Sequence, residues 1–275
     1  MTSSGERNDR GRGRKPFNRS RFERSKSRID LDGGEWVWGR HAALAALANP
    51  ARRPIQRILA TAEMARLIKA PPEDARIDIV QAGDISNALP PGAVHQGLAA
   101  IVAPLEPLSV EDLAEPAEGV ILMLDQVTDP QNVGALLRSA AAFGAKGVVI
   151  QDRNAPPFSG ALAKAAAGAV ETIPVARVVN LSRALEALAD HGWRAVGLAG
   201  EGAEPLAQAL AAPGPVVLVM GSEGEGLRRL VAEHCDVLAH IPMPGGFESL
   251  NVSAAAAIAL YEASVRRALP VGEPG

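Results

Sequence analysis

Between residues 120 and 241, short apolar runs alternate with stretches of helical periodicity, and this alternation limits the possible folds more than any other feature of the chain. The runs are Val120 to Val127, Gly147 to Ile150, Thr172 to Val178, Ala195 to Leu198, Val216 to Met220 and Val237 to Ile241. Each is short, mainly apolar and bounded by polar or glycine-bearing segments, and Val216 to Met220 is β-branched as well, so each is expected to be a strand. Strands alternating with helices predict an α/β domain: a mostly parallel sheet with helices on both faces, closed by a last helix from about Leu250 to Leu269. Sheets of this kind bind ligands beyond the carboxyl ends of their strands, which makes the loops after the strands the place to look for chemistry.

A smaller α/β unit precedes this one. Gly39 to Ala48 reads as a short helix ended by Asn49-Pro50, Ile55 to Leu59 as a strand, Glu63 to Lys69 as a helix and Ile77 to Val80 as a second strand. After Pro90-Pro91, the run from His95 to Val102 is expected as a third strand entered through a polar turn. The expected organisation is a basic tail over 1–30, a small domain over 31–103, a Pro-rich linker over 104–118 and the larger domain over 119–275.

The net charge of −3 conceals a division of sign. Residues 1 to 28 carry ten Lys or Arg against three acids, a net +7 that leaves −10 for the remainder. A segment rich in Arg, Ser, Gly and Asn buries too little apolar surface to offset its ordering entropy, so the tail is expected to be disordered. It suits a polyphosphate, because each cation that neutralises a phosphate releases counterions; the plainer alternative is a solubilising tail with no fixed partner. No apolar run approaches the roughly 18 residues of a membrane span. The single cysteine, Cys235, cannot form an internal disulfide, and no Cys/His cluster suggests a metal site. A cytoplasmic, metal-free protein is expected.

Three strand-end stretches carry the candidate residues. In the first, Asp125 to Arg138, Asp129 is placed as an N-cap and Pro130 as the first helical residue, with Val133, Leu136, Leu137 and Ala140 as the core stripe. Gln131, Gly134, Ala135 and Arg138 share another face, where two minimal side chains suit close approach of a backbone or a nucleotide. The second, Gly221-Ser-Glu-Gly-Glu-Gly-Leu, is a strand, glycine loop and helix. It lacks the third glycine of a dinucleotide fingerprint and the Gly-Lys-Ser/Thr of a P-loop. Glu223 and Glu225 would also repel a pyrophosphate, so a neutral or cationic ligand fits better. The third, Ile241-Pro-Met-Pro-Gly-Gly-Phe-Glu-Ser-Leu-Asn-Val-Ser, places Ser249 and Asn251 at the entry of the last helix, with Ser249 as a simple cap and Asn251 in the first turn.

Taken in order, Asp-x-Val-x-Asp-Pro-x-Asn-x-Gly followed by Arg138, then Gly-Ser-Glu-Gly-Glu-Gly-Leu, then Ile-Pro-Met with Ser-Leu-Asn-Val-Ser, resemble the TrmH-type ribose 2′-O-methyltransferases of the SPOUT superfamily. Gly39-Arg40-His41 and His95-Gln96-Gly97 look like the L30e-like RNA-binding domain found ahead of the catalytic domain in the branch that modifies 23S rRNA. The resemblance implies a deep trefoil knot in the C-terminal half, S-adenosyl-L-methionine as cofactor, a homodimer and an RNA substrate. It assigns Asn132, Arg138, Glu223, Ser249 and Asn251 to the active site, and Leu198, Ala199, Gly221, Ile241 and Leu250 to the cofactor. The stretch from Ala163 to Ala169, where many relatives carry a serine, departs from the pattern. The implied activity is 2′-O-methylation of a guanosine in 23S rRNA; the alternatives are a tRNA ribose methyltransferase and a non-catalytic RNA-binding protein.

Overall fold

The computed structural model describes residues 34–69, 75–153, 155–246 and 249–268, so the basic tail lies outside the described residues, as do Phe247 and Glu248. The first described elements are β1 (Glu35–Trp38), α1 (Arg40–Ala48), β2 (Ile55–Ala60), α2 (Ala62–Ala65), β3 (Arg76–Ile79), α3 (Ala82–Ala88) and β4 (Leu98–Val102). Their four strands form one sheet in the order β1-β4-β2-β3, antiparallel except for the parallel pair β2/β3. β4 is buried along its whole length, and its side chains alternate between two cores: Leu98, Ala100 and Val102 face α1, while Ala99 packs with Ile85 and Leu89 around α3. The helix expected over 63–69 is shorter, and β1 and α3 were not expected.

The stretch 104–118, expected as a linker, contains α4 (Val110–Ala114), capped by the Ser109 hydroxyl. Its buried Val110, Leu113 and Ala114 pack with α7. The larger part of the chain then runs β5 (Val120–Leu124), α5 (Pro130–Ala142), β6 (Gly147–Gln151), α6 (Gly160–Ala166), β7 (Val175–Val178), α7 (Leu181–Asp190), β8 (Arg194–Leu198), β9 (Glu204–Pro205), α8 (Leu206–Ala209), β10 (Val216–Met220), α9 (Arg229–Glu233), β11 (Val237–His240) and α10 (Val252–Ala268). All six expected strands are present. Seven strands make one sheet in the order β7-β6-β5-β10-β8-β11-β9, and every neighbouring pair is parallel.

Period-two alternation along the central strands fills both faces. On one face, Leu122, Leu124, Leu218 and Met220 pack with Val133, Leu136 and Leu137 of α5, Leu162 of α6, and Val252, Ala256 and Leu260 of α10. On the other, Ile121, Met123, Val217 and Val219 pack with Leu185 and Leu188 of α7 and Val231 of α9. Strands covered on both sides read as unbroken apolar runs, as these do.

The seam between the small sheet and the large one is tightly built. Arg52 is fully buried, and all five of its N–H groups are used. Its Nε donates to Glu171 Oε2 at 3.0 Å, Nη2 to Glu171 Oε1 at 3.0 Å and to the Phe158 carbonyl at 3.0 Å, and Nη1 to Glu35 Oε2 at 3.2 Å and the Ala103 carbonyl at 3.1 Å. Asn49 Nδ2 adds a bond to Glu171 Oε2 at 2.8 Å. Around this clamp α6 supplies small residues that let the parts approach: a Cβ on Gly160 would lie 2.5 Å from the Trp38 ring, and Ala163 is buried in the core of the small sheet.

Candidate active site

The site forms where the sheet order reverses. β5 leads on to β6 and β7 in one direction, whereas β10 returns to lie between β5 and β8, so the loops after β5 and β10 open side by side. Asp129 caps α5, accepting from the backbone N–H groups of Gln131 (3.2 Å) and Asn132 (3.4 Å), with Pro130 opening the helix as expected. This places Asn132 in the first turn of α5, at the carboxyl end of β5.

The loop after β10 closes on itself. Ser222 and Gly226 exchange two backbone hydrogen bonds, and a Cβ on Gly221 would come within 2.1 Å of the Gly226 carbonyl carbon. Gly221 is therefore required by the loop itself, and the closed loop presents Glu223 at its tip. Asn132 Nδ2 donates to Glu223 Oε1 at 3.1 Å, Asn251 Nδ2 donates to the same oxygen at 2.5 Å and to Asn132 Oδ1 at 3.2 Å, and the Val252 N–H adds a longer bond at 3.4 Å. Three residues from three separate stretches thus form a closed triangle. Glu223 Oε1 is saturated, while Oε2 has no donor among the described residues.

Asn251, not Ser249, caps the last helix. Its Oδ1 accepts from the Ser253 N–H at 2.9 Å, the Ser253 hydroxyl at 2.5 Å and the Ala254 N–H at 3.4 Å. Both ends of the Asn251 amide are engaged, one in the cap and one in the triangle. Ser249 is exposed, with no side-chain partner among the described residues.

Leu198, Ala199, Gly221 and Ile241 sit just at or beyond the carboxyl ends of the adjacent strands β8, β10 and β11, with Ala199 held by its N–H to the Ala239 carbonyl at 3.0 Å. Leu250 precedes the α10 cap and is exposed to 38%. Arg138 stands apart: it is exposed and has no partner among the described residues. Six residues of helix separate it from Asn132, about 9 Å along the axis and about 120° around it. The close approach expected on the Gly134 and Arg138 face is taken up within the chain, since a Cβ on Gly134 would lie 2.5 Å from Ala165 Cβ and 2.7 Å from the Leu162 carbonyl. The Gly134 position admits α6 rather than a nucleotide.

Sequence reasoning overlooked Arg228. Asp125, fully buried at the end of β5, accepts from the Arg228 backbone N–H at 2.9 Å and from its Nε at 2.7 Å, and Arg228 Nη2 donates to Gln151 Oε1 at 3.1 Å. This tie pins the far end of the Glu223 loop to β5 and β6. An acid directly after the apolar run of β5 was the available signal, but its partner 103 positions away carried none. Among the described residues there is no cluster of three or more His, Cys, Asp or Glu able to hold a metal, and no helix long and apolar enough to cross a membrane.

A doubly covered parallel sheet with a carboxylate and two amides assembled at its switch point defines an α/β protein with a strand-end ligand site. Residues 119–261 match the SpoU rRNA Methylase family, and the chain belongs to that family. Over 245 residues it is 40% identical to the 23S rRNA (guanosine-2′-O-)-methyltransferase RlmB of Pseudomonas aeruginosa, covering 83% of this chain and 95% of that one. It is also 40% identical, over 251 residues, to a tRNA/rRNA methyltransferase of Synechocystis sp. that is named as uncharacterised, of which it spans only 63%. The crystal structure of an AdoMet-bound rRNA methyltransferase from Sinorhizobium meliloti is similar in fold, with a TM-score of 0.72, 26% identity and coverage of 88% of this chain and 90% of that one.

Proposed function

We propose that the protein methylates the ribose 2′-hydroxyl of a guanosine in 23S rRNA, with S-adenosyl-L-methionine as donor, and that it acts in the cytoplasm as a homodimer. The observation that carries this reading is the Asn132–Glu223–Asn251 triangle, which joins the family's three sequence blocks at the switch point of the sheet. The strong match to a relative named for guanosine methylation in 23S rRNA supplies the substrate class. The domain division stays as read from the sequence: 31–103 as an L30e-like RNA-binding domain, 104–118 joining it to a catalytic domain over 119–275 with a deep trefoil knot, and a basic tail before both.

The residues present fit the donor. The exposed acids Glu223 and Glu225 suit a sulfonium cation and disfavour a phosphate, and the backbone ends at Leu198, Ala199, Gly221 and Ile241, with the Leu250 side chain, offer an apolar, backbone-lined rim. When bound, S-adenosyl-L-methionine supplies an electrophilic methyl group. The protein's own task is to place the hydroxyl in line, stabilise its charge as the proton leaves and keep water out. Glu223 Oε2 is the acceptor that the triangle leaves for a ribose hydroxyl, and Asn132 and Asn251 fix its direction. Arg138, a permanent cation, cannot serve as a free base; it stabilises the developing alkoxide or grips the neighbouring phosphate. Ser249 shapes the loop ahead of the Asn251 cap.

Because Arg138 is exposed and offset from Asn132 by about 9 Å along α5 and about 120° around it, we infer that the homodimer brings it to a reacting ribose, with each chain providing the triangle of one site and the Arg138 of the other. The test is methylation of 23S rRNA by Arg138→Ala, by Glu223→Ala and by the two mixed and re-equilibrated, with donor affinity measured by calorimetry. Each variant alone should lose activity by at least a hundredfold, Arg138→Ala should still bind donor, and the mixture should recover up to a quarter of wild-type turnover. Near-full turnover by Arg138→Ala would refute its role, and a mixture no better than its components would refute the shared site.

A further inference from the structure

The seam between the two sheets carries a second feature that the triangle does not use. Gly39, with φ +95°, precedes α1, and its N–H donates to the Leu98 carbonyl at 3.1 Å. A Cβ there would lie 3.5 Å from Lys164 Cγ and 3.5 Å from Gln96 Oε1, so the Lys164 stem from α6 lies against the backbone that starts α1. The next residue, Arg40, is exposed, and its backbone N–H donates to Gln96 Oε1 at 3.1 Å. Gln96 itself is held at a left-handed φ of 53°. The turn before it is locked by His95, whose Nδ1 accepts from the Gly97 N–H at 3.0 Å and whose Nε2 lies 3.0 Å from the Ser86 hydroxyl.

Two elements that are far apart in sequence are thus fastened so that their cations start from one place. Among the described residues neither the Arg40 guanidinium nor the Lys164 ammonium has a hydrogen-bond or ion-pair partner. The seam's acids do not neutralise them, because Glu35 and Glu171 are both engaged by Arg52. The Lys164 stem covers apolar and backbone surface while its head stays in water, and the amino end of α1 adds potential of the same sign. Unpaired cations on a rigid base, in a chain whose body is acidic, form a surface for a polyanion rather than for a protein face.

We propose that Arg40 and Lys164 form one phosphate-binding surface that bridges the small and large sheets and receives the backbone of the RNA substrate, independently of its sequence. The proposal rests on the RNA-methyltransferase reading above. The probe is a fragment of 23S rRNA containing the methylated guanosine, with its dissociation constant measured across a salt series for the full chain and for Arg40→Gln, Lys164→Gln and the double variant. Each lost phosphate contact lowers the slope of log affinity against log salt by about 0.7 to 0.9. The double variant should therefore lose about 1.4 to 1.8 from the slope and bind at least tenfold more weakly at low salt, with donor affinity and melting temperature unchanged. Lys164→Arg should bind like the wild type, and so should Arg183→Gln, whose helix α7 lies on the opposite face of the large sheet.

An unchanged slope in the double variant, while the wild-type chain still methylates the fragment, would overturn the phosphate surface alone. An equal loss in Arg183→Gln would also overturn it, by showing that the effect is one of net charge. A wild-type chain that neither binds nor methylates rRNA would overturn both readings, so the two failures are distinguishable.

Discussion

Glu171→Ala tests the clamp at the seam. In the wild type the Glu171 carboxylate is 4% exposed and takes bonds from Arg52 Nε and Nη2 and from Asn49 Nδ2. Arg52 itself is 0% exposed, so the substitution leaves a buried guanidinium with only Glu35, at 25% exposure, and two carbonyl oxygens. Removing one partner of a buried pair costs about 3–5 kcal/mol, and the surviving Glu35 contact puts this case at about 3 kcal/mol. For a chain of this size that loss lowers the melting temperature by about 6–12 °C. Glu171→Gln, which keeps an acceptor and the volume, should lose about half as much. Arg52→Met combined with Glu171→Gln should be less harmful than Glu171→Ala, because no fully buried charge is left uncompensated and Glu35, at 25% exposure, keeps contact with water. Scanning calorimetry on the four proteins gives the answer. A loss below about 1 kcal/mol for Glu171→Ala, or a double variant less stable than the single, would refute the reasoning.

Two further outcomes follow from packing and burial. Gly134→Val forces side-chain atoms into the Leu162 carbonyl and Ala165, which overpacks the α5/α6 contact and should cost about 3 kcal/mol by urea denaturation; a neutral result would mean that α6 is not held there. Burial, reinforced by Asp236 and Asp125, pushes the Cys235 thiol up to about 12, so the thiolate is scarce at neutral pH. Iodoacetamide should accordingly leave the folded protein largely unmodified at pH 7.5 and label it fully in denaturant, and rapid labelling of the folded form would contradict the buried placement.

Much of the large domain was legible because its signals are local. The six apolar runs became strands, Asp129 and Pro130 opened α5, and Val133, Leu136, Leu137 and Ala140 were buried together. β1, α3 and α4 were missed because elements of four to seven residues show at most one or two turns or alternations of periodicity. Long-range pairings left no local trace: Arg52 meets Glu171 across 119 positions, and Arg228 meets Asp125 across 103. The Gly134 face illustrates a subtler gap. Small residues announce that something approaches closely, yet sequence alone does not say whether it is a ligand or the chain's own α6. At the α10 entry the residue types put Ser249 at the cap and Asn251 in the first turn, whereas the structure caps the helix with Asn251, whose amide also reaches Glu223.

The central claim is that the Asn132–Glu223–Asn251 site methylates a ribose of 23S rRNA, and the most direct measurement is transfer of label from S-adenosyl-L-methionine to 23S rRNA and, separately, to tRNA, followed by mapping of the modified nucleotide. The account predicts label at the 2′-oxygen of one guanosine in 23S rRNA, absent with Glu223→Ala. Label in tRNA alone, label on a base, or label in neither RNA would contradict it.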